Sequence, residues 1–112
     1  MSRDCRESDW KAFKELRALA LERYCQKACQ QAVAIASATE GSAHERYVRL
    51  YRHIAETDKM IQRGFDDLRR STATAKILVI HSLKVWSPEE LKRFSPEIQD
   101  LVHALSKGNR GD

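Results

Sequence analysis

Residues 61–86 read IQRGFDDLRRSTATAKILVIHSLKVW, and the path of the chain through them decides the architecture. They end a long apolar series. Tyr47, Leu50, Tyr51, Ile54, Asp58, Ile61, Phe65, Leu68, Thr72, Val79, Leu83 and Trp86 keep one helical phase at about 100° per residue. Glu45, Arg49, Arg52, Glu56, Lys59, Arg63 and Arg70 occupy much of the remaining surface, and only Gly64 interrupts. That continuity predicts one helix from about residue 43 to about 85, roughly 60 Å long at 1.5 Å per residue. The competing path breaks near Ser71-Thr72 and makes Ile77–Val85 a buried strand, which its β-branched residues permit. Such a strand would lack a partner, because no other segment alternates with period two, so helix is the preferred reading.

Upstream, Ser42 and Glu45 form a Ser-x-x-Glu capping box, in which hydroxyl and carboxylate each satisfy an orphan backbone N–H. Gly41 before it supplies a stop for a first helix, read over about 8–39. Trp10, Phe13, Ala20, Leu21, Tyr24, Ala28, Ala32 and Ile35 fall on one side of that helix. Lys11, Lys14, Glu15, Glu22 and Gln26 fall on the other. A second stripe, of small residues, borders the first: Ala18, Cys25, Cys29 and Ala36. The run Ala32-Val33-Ala34-Ile35-Ala36 is apolar nearly all round, a pattern expected of a helix covered from more than one side.

Downstream, Ser87-Pro88-Glu89-Glu90 is a second capping box with Pro at its first helical position, and Ser95-Pro96-Glu97 repeats the start signal. Two short helices follow, about 88–94 and 96–106, with Trp86 and Leu91 placed to form a hydrophobic staple. The expected fold is all-α: a long antiparallel helical hairpin with two short C-terminal helices, completing a four-helix-type bundle as a homodimer. In that scheme the second helix overhangs the first. Its apolar end, with Ile77, Leu78, Ile80, Leu83 and Trp86, becomes the surface for a second copy or another protein.

The whole chain of 112 residues fits one domain, 1–112, with frayed ends at 1–7 and 107–112. Four glycines are too few for a glycine-rich nucleotide-binding fold. The longest strongly apolar run, Ile77–Ile80, is far shorter than the ~20 residues of a membrane span. The first residues carry no apolar signal region, and an odd number of cysteines suits a reducing compartment, so the expected setting is cytoplasmic. The closing Arg-Gly-Asp is read as chance. The formal charge of +4 equals the surplus of residues 42–86, where nine Lys/Arg meet five Asp/Glu.

Four constellations carry possible chemistry. Arg17 and Gln31 on the first helix and Asp58 on the second fall on the expected seam, with Tyr24 level with Asp58. Such residues either line a polar pocket or fix register, and the second is the commoner role. Cys25 and Cys29 share a face, and Cys29 lies level with Ile54, next to His53, the beginning of a zinc set in which Asp58 is the nearest candidate for a fourth ligand. As small apolar fillers they need no metal, and neither metal nor cofactor is expected. Arg46, Arg49, Arg52, Lys59 and Arg63, interleaved with Tyr47 and Tyr51, offer a basic-aromatic face for nucleic acid. Glu45–Arg49 and Arg52–Glu56 are instead spaced as ion pairs of a solvated face. The tail resembles a helix-turn-helix in outline only, since Glu97 and Asp100 would repel phosphates.

No catalytic motif stands out, and His44-Glu45 lacks the second histidine of a zinc-protease helix. The sequence therefore reads as a non-enzymatic, homo-oligomeric interaction module. A nucleic-acid factor and a metal- or redox-responsive bundle are its alternatives.

Overall fold

The computed structural model describes residues 5–108, which are all-helical with no strand among them. Two long helices, α1 (Glu7–Ser37) and α2 (Ala43–Phe65), pack against each other. A single 3₁₀ turn (Arg70–Thr72) leads into α3 (Ala73–Ser82), and α4 (Pro88–Leu91) and α5 (Pro96–Gly108) complete the chain. No helix among the described residues is long and apolar enough to cross a membrane. The expected frayed residues 1–4 and 109–112 lie outside the described part; Cys5, placed in that fringe, is instead buried.

The second long helix ends at Phe65 and does not continue to residue 85. Three local causes stop it. Asp66 and Asp67 put acid at the negative end of the helix dipole, where it is unfavourable. Asp67 takes a left-handed φ of 60°, a conformation that Asp adopts more readily than most residues, and Arg69 clasps its carboxylate with two hydrogen bonds. Arg17 of α1 donates through Nε (3.2 Å) and Nη2 to the Phe65 carbonyl, satisfying an acceptor that a longer helix would have used itself. The reversal folds α3 back onto α2. Gly64 makes the close approach possible, since a Cβ there would lie 3.2 Å from Ile80 Cγ1 and 3.3 Å from Val79 Cγ1.

This reversal gives the apolar run its cover. Ile77 and Ile80 are fully buried, as are Phe13, Phe65 and Ala73, and Ala12, Leu16, Phe94, Ile98 and Val102 join the same core. Trp86 is tied down by a hydrogen bond from Nε1 to the Leu16 carbonyl (2.9 Å) and packs on the Phe94 ring at 5.5 Å. Both capping boxes form as read, at Ser42/Glu45 and Ser87/Glu90. Two boundaries are shorter than read. α4 is a single turn, and α1 stops at Ser37, leaving Gly41 (φ 78°) to serve the turn rather than the helix cap.

All of this core lies at one end of the long helices. Between Ala20 and Gly64 no residue is buried. The radius of gyration is 16.6 Å, against about 13 Å for a compact domain of this length, and the extents are 56 × 33 × 25 Å. The molecule is thus a packed head with a two-helix arm projecting from it. The arm comprises α1 beyond Ala20 and α2 before Gly64.

Candidate docking face on the projecting arm

A two-helix arm can hide only the strip where its helices meet. On α1 that seam holds the half-buried Leu21, Tyr24, Ala28, Ala32 and Ile35. On α2 it holds Arg46, Leu50, His53, Thr57, Met60 and Ile61, also half-buried. His53 Nε2 donates to the Ala28 carbonyl across the seam (2.8 Å) and sets the register. The α2 seam is therefore rotated by roughly a quarter turn from the apolar stripe read in the sequence. Much of that stripe is left facing solvent: Tyr47 is 67% exposed, Tyr51 66% and Ile54 52%. On α1, Val33 is 67% exposed, and the apolar run 32–36 is covered on one side only.

Helix geometry puts these side chains on one side of the arm. Counting about 100° per residue, Cys25, Cys29, Val33 and Ala36 stand 60–140° round α1 from its seam. Tyr47, Tyr51 and Ile54 stand about as far round α2 from its own seam. Because the helices are antiparallel, the same rotational sense carries both sets to the same face. The tail helices occupy the other side of α1. They and the Val85–Trp86 segment before them bind Asp9, the Leu16 carbonyl and Arg23, which are seven residues apart and so share a different edge.

No family model, curated protein or solved structure matches this chain.

The other candidate residues fall elsewhere. Ile77, Ile80 and Trp86 are buried and Leu78 and Leu83 half-buried inside the head, so the overhang expected to take a partner is consumed by the chain's own fold. The polar seam does not assemble. Arg17 caps α2, Gln31 and Asp58 are exposed, and Tyr24 stacks on Phe65 at 6.5 Å, where burial pushes its hydroxyl pKa up. Cys25 is half-buried and Cys29 exposed, while the Nε2 of His53 is committed to a carbonyl. Among the described residues no group of three or more His, Cys, Asp or Glu is arranged to hold a metal. The basic residues are partly spoken for. Arg46 donates to the Gly41 carbonyl (3.4 Å) and Arg49 to that of Glu40 (3.3 Å), bracing the tip. Lys59 lies 3.8 Å from Glu56, Arg63 rests against Met60, and Arg52 is exposed on the charged back of α2.

Two polar clusters that the sequence reading missed hold the head together. Asp9, only 2% exposed, accepts from the Ser95 N–H and hydroxyl (2.7 Å each), joining the start of α1 to the start of α5. Arg23 donates to both oxygens of Glu90 (2.7 and 2.9 Å) and to the Val85 carbonyl (2.8 Å). That guanidinium, helped by the Ser87 cap, holds the Glu90 pKa down at about 2. A seven-residue spacing of Asp9, Leu16 and Arg23 was visible in the sequence, but nothing in it distinguished their partners from water. Between α4 and α5 lies an apolar groove of about 230 Å³ floored by Leu91, Phe94 and Ile98, smaller than the 300–1,000 Å³ usual for ligand pockets.

Proposed function

We propose that this protein works by binding rather than by catalysis, as an interaction module whose arm docks apolar helices of a protein partner on its open face. One observation carries the reading: Tyr47, Tyr51, Ile54 and Val33, four large apolar side chains, stand more than half exposed on a single side of the arm. Scattered surface hydrophobics are ordinary, but a contiguous stripe along two helices is the usual mark of a protein interface. Two tyrosines and an isoleucine at i, i+4 and i+7 on a rigid helix fit helix-in-groove recognition. The chemistry of the partner follows from the face, which presents almost no charge at its centre and so suits an amphipathic helix or helical hairpin.

The nucleic-acid alternative is weaker, because Arg46 and Arg49 are engaged with backbone carbonyls and Lys59 is paired with Glu56. A photo-cross-linking amino acid placed at Tyr51, and separately at Glu56 on the charged back of α2, tests the proposal in cells of the source organism. Discrete protein adducts from position 51, lost on adding Ile54→Lys and missing from position 56, are the expected result. Equal adducts from both positions, or none from 51, would overturn it.

A further inference from the structure

We draw no further inference here: the strongest candidate, the open face of the arm with Val33 on α1 and Tyr47, Tyr51 and Ile54 on α2, belongs to the docking site already described, and nothing in the structure shows what covers it.

Discussion

From Glu7 to Ala20, α1 buries five side chains, and from Leu21 to Ser37 it buries none. The two halves belong to one uninterrupted helix and have similar residues along their inner edge, with Phe13, Leu16 and Ala20 in one and Tyr24, Ala28 and Ala32 in the other. What differs is the number of neighbours. In the head, α3, the Val85–Trp86 segment and α5 close round α1 and α2, so an apolar side chain finds protein on every side. Beyond Arg23, the last arm residue held by Val85 and Glu90, each helix of the arm has one neighbour, and a helix with one neighbour covers only one strip. Stability therefore concentrates in the head, while the uncovered apolar surface concentrates in the arm, the part free to bind.

That contrast can be broken in graded steps. Ile80→Ala, at a fully buried site against Gly64, should cost about 3 kcal/mol by lost transfer and cavity formation. Denaturant unfolding checks it, and a loss under about 1 kcal/mol would show the head to be far looser than its burial implies. Asp9→Ala comes next, at about 2 kcal/mol, since it strands the Ser95 N–H and hydroxyl inside the head. Restoration of stability by Asp9→Asn would show that hydrogen bonding rather than charge is needed there.

Acid separates the contributions further. Glu90 has its pKa lowered from 4.5 to about 2, so the stabilisation from its pairing with Arg23 is complete above about pH 4.5 and is lost as pH falls towards 2. Thermal melts between pH 5 and pH 2 should fall more steeply for the parent than for Arg23→Met; identical slopes would remove this ion pair from the account of the head. A smaller gain is available at Lys84, whose φ of 60° is a left-handed conformation that a side chain disfavours. Lys84→Gly should leave stability equal or raise it by up to about 1 kcal/mol, the relief being offset by the greater freedom of glycine in the unfolded chain. The smallest effect belongs to the arm: Tyr51→Ser should change unfolding free energy of the monomer by less than about 0.5 kcal/mol. A larger loss would mean that the tyrosine packs on the arm and is not a free docking residue.

Much of the local structure was legible. Ser42 with Glu45, and Ser87 with Glu90, announce helix starts through side chains that reach only three residues, so the signal and its effect are both local. The docking face was half legible. Tyr47, Tyr51 and Ile54 were visible as an apolar stripe and Cys25, Cys29 and Ala36 as a small-residue stripe, but neither could be assigned an inside or an outside. A second helix can pack at any of several rotations on so wide an apolar arc. The choice made here is recorded by the His53–Ala28 hydrogen bond and the close approach at Gly64.

The reversal after Phe65 was the main point at which periodicity misled. A repeat in phase from Tyr47 to Trp86 is compatible with one straight helix and equally with two helices joined by a short turn, because phase is counted along the chain and is indifferent to direction in space. Composition and spacing by themselves determined that this protein is helical, where its capped helices begin, and that it holds more apolar helix surface than two helices can hide. Only the tertiary structure decided which part of that surface is hidden. Arg17 closes the end of α2, Asp67 turns the chain, and Gly64 admits Val79 and Ile80. The apolar run 77–80 is thereby spent on the head, and the Tyr47–Ile54 stripe is left uncovered. Burial is a contest among apolar surfaces for a limited number of neighbours, and only the assembled fold shows which of them are covered.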